Sequence, residues 1–147
     1  MKILVAYDGS ENAKNAVMEA VDLAKQFSGS LTVLHVHWNP LEETYSEEVE
    51  KYEGIEVRDE VSLRLLDDLE PMLEESGVKY DLRSETAPRI PKTILRIAED
   101  EGYDLICIGS RGMGSAKAWL LGSVSNRVIT GADCPVLVVH RRLRKKV

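Results

Sequence analysis

The sequence predicts an α/β fold in which a doubly wound, five-stranded parallel sheet of the Rossmann type carries helices on both faces. Two observations support it. Short apolar segments alternate with segments whose apolar residues recur at helical spacing. Glycine or proline marks most of the junctions between them. Such alternation is typical of a parallel sheet, because each crossover helix must return the chain to the same end of the sheet.

Five strands are predicted, at residues 3–7, 31–36, 78–86, 105–108 and 135–139. The first and fourth are uninterrupted apolar runs, which are typical of strands that are buried on both faces. The third alternates instead, with Val78, Tyr80 and Leu82 between polar residues. One face of that strand is therefore expected to be wetter.

Four helices are predicted to connect these strands. Ser10 provides an N-cap for the first helix. Pro71 falls inside the second helical pattern, where proline costs about 3 kcal/mol, so that helix is expected to kink or restart near Glu70. Pro91 is tolerated in the first turn of the third helix, where its missing N–H does no harm. The fourth helix is expected over residues 123–130.

The apolar faces of these helices are expected to pack against the sheet. The inward residues are Ala13, Ala16, Val17, Ala20, Ala24 and Phe27, then Val61, Leu65, Leu66, Leu69, Met72 and Leu73, then Ile94, Ile97 and Ala98, and finally Val124, Val128 and Ile129. Residues 37–59 are polar and acidic and predict a loop. Trp38 and Trp119 are interpreted as packing residues.

Length and composition indicate one globular domain over residues 1–147. Of the 147 residues, 44% are hydrophobic and 30% are charged, and a chain of this length buries about 70% of the surface that its unfolded form exposes. The net charge of −6 combines an acidic body with a basic tail at residues 141–147. No nucleic-acid partner is expected, because binding its phosphates requires clustered Lys and Arg.

Apolar runs and cysteines bear on the cellular compartment. No apolar run approaches the roughly 20 residues of a membrane-spanning helix, or the about 7–15 of a signal-peptide core. Cys107 and Cys134 form no Cys-x-x-Cys pair, and Cys107 lies within an apolar strand. A cytoplasmic protein without membrane association is therefore expected.

The segment after the fourth strand is the most informative part of the chain. Three glycines occur there: Gly109, Gly112 and Gly114. A glycine-serine pair, Gly122-Ser123, opens the next predicted helix. Glycine lets a backbone approach a phosphate closely, and the free N–H groups of a helix N-terminus attract an anion. An anion site is therefore predicted, with Ser123 and Ser125 as hydroxyl donors. Arg111 either adds positive charge to this site or points to solvent. The simpler alternative is that these glycines only form a flexible turn.

This arrangement resembles the nucleotide-binding signature of the universal stress proteins. The likeness rests on the spacing of Gly109, Gly112 and Gly122-Ser123. It extends to residues 2–10, 34–36, 104–106 and 134–139, which resemble the first, second, fourth and last strands of that family. The resemblance implies a sheet order of 3-2-1-4-5 and a protein that binds ATP.

The resemblance also implies roles for ten residues. Ala6, Val36 and Ile108 would line an adenine pocket, and Asp8 would lie near the ribose and the metal-bound phosphates. The phosphates would be cradled by Gly109, Gly112, Gly122, Ser123, Val124 and Ser125. The expected cofactor is ATP or AMP with Mg²⁺ or Mn²⁺, and no metal ligands or catalytic residues are assigned.

We expect a nucleotide-dependent stress or signalling protein with at most slow hydrolysis, because no general base accompanies the glycine-rich segment. Two alternatives stay open. A nucleotide alpha-hydrolase or ATP-pyrophosphatase usually carries Ser-Gly-Gly-x-Asp-Ser after its first strand, whereas residues 8–12 here read Asp-Gly-Ser-Glu-Asn. A nucleotide-free interaction protein of the same fold is the other. Neither a Walker loop nor a Gly-x-Gly-x-x-Gly turn after the first strand is present.

Two further features concern metals and partners. His35 and His37 share one face of a strand, but without a visible third ligand they are interpreted as structural. The last strand, residues 135–139, is expected at the sheet edge, where a bare apolar strand invites pairing with a second chain. A homodimer through this strand is predicted, and the resemblance implies the same dimer.

Overall fold

The computed structural model describes residues 1–40, 60–112 and 120–140. These residues form a sheet of five strands: β1 (Lys2–Ala6), β2 (Ser30–Trp38), β3 (Lys79–Ala87), β4 (Leu105–Gly109) and β5 (Val136–Val139). The order is β3-β2-β1-β4-β5, and every neighbouring pair is parallel. The predicted topology is confirmed, and the carboxyl ends of all five strands lie at the same end of the sheet.

The described residues also form five helices: α1 (Glu11–Gln26), α2 (Glu60–Asp67), α3 (Glu70–Ser76), α4 (Ile90–Asp100) and α5 (Ser123–Gly131). On one face of the sheet, α1, α2 and α3 pack over a core that includes Ile3 and Val5. On the other face, α4 and α5 pack over a core that includes Leu4 and Ile106. Helices on both faces were predicted and are confirmed. No helix in the described ranges combines the length and the apolar character that a membrane crossing requires.

The predicted interruption near Glu70 is confirmed. The helical pattern breaks into α2 and α3, and Pro71 lies in the first turn of α3, where a proline is tolerated. Leu69, between the two helices, donates its N–H to the carbonyl oxygen of Leu66 at 2.9 Å. Leu66 and Leu73 still pack into the same core. The predicted inward side chain of Val61 lies outside the described part of the chain.

Three expectations about single residues are wrong. Phe27 is 59% exposed, because α1 ends at Gln26 and Phe27 lies beyond its apolar face. Ile129 is 39% exposed, because Val124 and Val128 form the inward row of α5 and Ile129 lies about 100° further round the helix. Trp38 is 60% exposed rather than packed.

β2 runs two residues further than predicted. His37 and Trp38 pair with Thr86 and Ala87 of β3 instead of opening the loop. The remainder of that predicted loop from residue 41 onward, Gly114 and Trp119 within 113–119, and the basic tail at 141–147 lie outside the described residues.

Candidate functional site

The carboxyl ends of β1, β2 and β4 converge on one cavity of about 660 Å³. β1 pairs with β2 on one side and with β4 on the other, so the strand order reverses at β1 and a crevice opens there. Cofactor and small-molecule sites have volumes of about 300–1,000 Å³. All ten residues singled out in the sequence line this cavity: Ala6, Asp8, Val36, Ile108, Gly109, Gly112, Gly122, Ser123, Val124 and Ser125.

One half of the cavity is apolar. Ala6 and Ile108 are direct partners across β1 and β4, and Val36 of β2 lines the same cavity. Each of the three is less than 10% exposed. Ile90 and Ile94, from the first turns of α4, also line it. The sequence had indicated only core packing for Ile94, because helical spacing does not distinguish a core from the wall of a pocket.

Trp38 adds an exposed aromatic side chain to the lining. Its indole Nε1 donates a hydrogen bond to the carbonyl oxygen of Pro88 at 3.1 Å, which ties the end of β2 to the turn before α4. His37 lines the cavity as well. An aromatic face beside an apolar pocket provides a stacking surface for a planar ligand. The sequence analysis missed this role, since it ended the strand before both residues.

His35 is held against the end of β1. Its Nδ1 lies 2.8 Å from the carbonyl oxygen of Tyr7. Because a carbonyl oxygen only accepts, Nδ1 carries the hydrogen and donates it. This is the structural role that was predicted. Within residues 1–40, 60–112 and 120–140, no cluster of three or more His, Cys, Asp or Glu side chains is placed to hold a metal.

Tyr7, which the sequence analysis also missed, lines the cavity, but its side chain packs in the core beneath α1, α2 and α3. Burial raises the pKa of this phenol, and the carboxylates of Asp68, Asp8 and Glu11 raise it further. The phenol therefore stays neutral within this core at physiological pH.

Close backbone packing explains why glycine occupies three positions in the second half of the cavity, opposite the apolar half. A Cβ at Gly109 would lie 2.8 Å from the carbonyl carbon of Asn12. One at Gly122 would lie 3.3 Å from Arg111 Cα, and one at Gly112 would overlap a carboxylate oxygen of Asp8. None of these three glycines has a positive φ. Close approach requires glycine at positions 109 and 112, and a Cβ at position 122 would fit only tightly.

α5 begins at the cavity with an uncapped first turn. Gly122 is its N-cap residue and offers no side chain to accept from the helix amides. The first N–H groups of a helix have no partner inside it, so those of Ser123, Val124 and Ser125 lie at the positive end of the helix dipole. The N–H of Gly122 itself is already donated to the carbonyl oxygen of Ser110 at 2.7 Å.

The hydroxyl of Ser125 is used differently from what was predicted. It donates to the carbonyl oxygen of Gly109 at 2.7 Å, and the residue is 3% exposed. This bond fastens the end of β4 to the first turn of α5, so the expectation of a free Ser125 hydroxyl donor is wrong. Ser123 is exposed and lines the cavity.

Asp8, two residues after the end of β1, brings a carboxylate to the cavity. Its Oδ1 accepts the N–H of Ser10 at 2.9 Å, while Oδ2 lies against Gly112. Ser10 in turn caps α1, as predicted, by accepting the N–H of Ala13 at 3.2 Å. The same carboxylate thus shapes the turn and lines the site.

Arg111 also lines the cavity. Its Nε is buried and has no hydrogen-bond partner, which is true of no other buried side-chain nitrogen or oxygen in the described residues. An unsatisfied buried donor costs about 1–3 kcal/mol. The sequence had left this side chain open between the site and solvent, and the structure shows it at the site.

Ser110 joins three elements next to the cavity. Its N–H donates to the carbonyl oxygen of Val139 at 2.8 Å, and its own carbonyl oxygen accepts from Gly122. Its Oγ lies 2.9 Å from Nδ1 of His140. These contacts link β4, β5 and the start of α5, so the glycine-rich segment is held by the edge strand.

The fold and cavity together define a doubly wound α/β protein with a ligand site at its topological switch point. Residues 1–140 match the Universal stress protein family. The chain is 36% identical over 147 residues to the Universal stress protein YxiE of Bacillus subtilis, and the match covers 95% of this chain and 98% of that protein. The chain therefore belongs to the universal stress protein family.

Solved structures share this fold. The structure of the hypothetical protein MJ0577 aligns with a TM-score of 0.75 at 32% identity, over 97% of this chain and 96% of that one. A universal stress protein family member from Arabidopsis thaliana with AMP bound aligns with a TM-score of 0.69 at 20% identity, over 100% of this chain and 95% of that one. At that identity, the second likeness shows the fold.

Proposed function

We propose that this protein binds ATP in the cavity at the carboxyl edge of the sheet and acts as a nucleotide-dependent stress or signalling protein in the cytoplasm. The observation that carries the proposal is the convergence of the ten selected residues on one cavity with two chemically different halves. The apolar half and Trp38 suit a purine base. The AMP bound to the Arabidopsis relative supports an adenine nucleotide as the ligand class.

The phosphate chain is placed against Gly109, Gly112 and the start of α5. An anion there accepts from the uncapped N–H groups of the first helical turn and gains from the helix dipole. A glycine N-cap suits this role, because a serine or aspartate in its place would itself occupy those amides.

A divalent cation, Mg²⁺ or Mn²⁺, is expected to arrive with the nucleotide. Mg²⁺ is usually bound through one or two carboxylates together with substrate phosphates, and an all-protein cage is not needed. Asp8 provides a carboxylate that fits this requirement. We expect at most slow hydrolysis, because we can assign no residue at the site to orient the attacking water, although the site can position and stabilise the phosphates.

Thermal unfolding with and without nucleotide tests the proposal. Mg-ATP at about 100 times its dissociation constant should add about 2.7 kcal/mol to the free energy of unfolding. Mg-GTP at the same concentration tests whether the site prefers adenine to guanine. Mass spectrometry of any co-purifying small molecule identifies the ligand directly. A melting temperature unmoved by Mg-ATP would support the nucleotide-free interaction protein. Rapid release of phosphate or pyrophosphate would support the alpha-hydrolase alternative.

A homodimer through β5 is part of the same proposal. Both β3 and β5 are edge strands of the described sheet. β3 carries Lys79, Asp81, Arg83 and Glu85, and charged side chains protect an edge from pairing. β5 reads Val-Leu-Val-Val and has no such protection.

The open side of β5 can be tested directly. The carbonyl oxygen of Pro135 accepts from Ile106 of β4, and that of Val139 accepts from Ser110 just after β4. The alternation along the strand therefore turns the N–H of Val138 outward. Val138→Pro removes this outward donor and should give a monomer in analytical ultracentrifugation, whereas Val138→Thr keeps the donor and should stay dimeric. A monomeric wild-type chain would refute the dimer.

A further inference from the structure

We infer that Arg111 binds the phosphate chain of the nucleotide through the Nε edge of its guanidinium group and so makes the site prefer a polyphosphate to a monophosphate. The inference rests on the proposed nucleotide site. It assigns a ligand contact to a side chain whose direction the sequence left undecided.

The position of Arg111 is the first support. It follows β4 by two residues and precedes Gly112, and it lines the cavity. Its Cα lies only 3.3 Å from where a Cβ of Gly122 would be. The side chain therefore starts beside the N-terminus of α5, next to the amides that are proposed to hold a phosphate.

The buried Nε is the second and independent support. It carries an N–H that nothing in the described part of the chain accepts. Buried donors are almost always paired in folded proteins, so an orphan beside a cavity indicates an acceptor that the described residues do not provide. Because Nε is fully covered in the ligand-free chain, the Arg111 side chain must turn toward the cavity before a ligand oxygen can accept this N–H.

The chemistry of the guanidinium group defines that acceptor. Nε–H and a neighbouring Nη–H are two parallel donors in one plane, and they match two oxygens of a phosphate. The N–H groups at the start of α5 and the Nε–H and Nη–H groups of Arg111 are two separate sets of donors. One phosphate can be held by the amides alone, whereas a longer chain can engage both sets. The contribution of Arg111 should therefore grow with the number of phosphates.

Calorimetric titration of the full chain with adenosine, AMP and ATP, each with Mg²⁺, tests the inference. Arg111→Gln should weaken ATP binding by about tenfold or more and AMP binding by less, and should change adenosine binding by less than about twofold. Arg111→Lys should recover only part of the ATP affinity, since an ammonium group lacks the planar edge.

The matched control is Arg127→Gln. Arg127 is exposed on α5, and the change removes the same charge from the helix that begins at the cavity. It should alter binding of all three ligands by less than about twofold. An equal loss of ATP affinity in both variants would mean a general effect of charge and would overturn the inference.

The remaining outcomes separate the two proposals. If wild type binds neither adenosine nor ATP, the proposed nucleotide site is refuted, and the inference about Arg111 is refuted with it. If wild type binds ATP but Arg111→Gln weakens ATP and adenosine equally, or weakens neither, the site stands and the inference is wrong. Melting without ligand adds a readout: a phosphate-binding Arg111 leaves the melting temperature of Arg111→Gln close to that of wild type, whereas a structural Arg111 lowers it.

Discussion

Asp8 and Gly112 meet at the cavity so closely that a methyl group on Gly112 would overlap Oδ2 of Asp8. Asp8 follows β1 and Gly112 follows β4, and these two strands are neighbours in the sheet. The absence of a side chain at position 112 therefore lets the Asp8 carboxylate keep its place in the lining. Gly112 has no positive φ, so alanine there would strain this contact and not the backbone.

Gly112→Ala should weaken Mg-ATP binding by about tenfold, because its methyl group displaces the Asp8 carboxylate from the phosphates and their metal ion. A double-mutant cycle measured by calorimetry tests this route. In an Asp8→Ala background, Gly112→Ala should add less than about twofold. Fully additive losses would show that the methyl group acts on the nucleotide without Asp8.

Gly122→Val should block the approach of a phosphate to the first turn of α5 while the chain still folds. Gly122 has φ −65° and ψ 156°, a conformation that valine adopts readily. Calorimetry should show at least a tenfold loss of ATP affinity, and circular dichroism should be unchanged. Gly131→Ala is the control at the far end of α5, where a Cβ would meet the end of the Leu95 side chain. Normal ATP binding by Gly122→Val would mean that the site is misplaced.

Gly9→Ala should destabilise the fold more than Gly77→Ala. Both glycines have positive φ, +85° and +71°, and a left-handed conformation costs a residue with a Cβ about 1–2 kcal/mol. A Cβ at Gly9 would also lie 2.8 Å from Cδ2 of Leu65, whereas nothing lies within 4 Å at Gly77. Urea denaturation measures both free energies of unfolding. Equal losses would mean that Leu65 moves away without cost.

Cys107 should make the fold less stable at alkaline pH. Burial raises the pKa of its thiol from 9.0 to about 12, and the charge of Glu19 adds to the rise. Between those values the unfolded chain releases the thiol proton and the folded chain keeps it. The free energy of unfolding should therefore fall by up to about 1.4 kcal/mol per pH unit from this residue alone.

Urea denaturation at pH 8, 9 and 10 tests this, with Cys107→Ala as the comparison. The variant lacks the thiol but keeps the raised phenol pKa of Tyr7. Its stability should thus fall less steeply with pH than that of wild type. Identical slopes would show that the thiol ionises alike in both states.

The local features of the fold followed from the sequence alone. Alternating apolar runs and helical spacing identified the five strands, and Pro71 located the break between α2 and α3. These features depend on hydrophobic periodicity and backbone sterics within a few residues, which a sequence displays directly. The strand order and the ten site residues came from a resemblance carried by glycine spacing, and all ten line the cavity.

The remaining features of the site depend on contacts between distant segments. Trp38 reaches the cavity because β2 is extended by pairing with β3, and the Ser125 hydroxyl is taken up by Gly109. The orphaned Nε of Arg111 likewise depends on what surrounds it in the folded chain. By itself the sequence determined the elements, the topology class and the edge where a ligand would bind. Only the tertiary structure decided which polar groups at that end of the sheet are already paired, because most of their partners come from a different strand or helix.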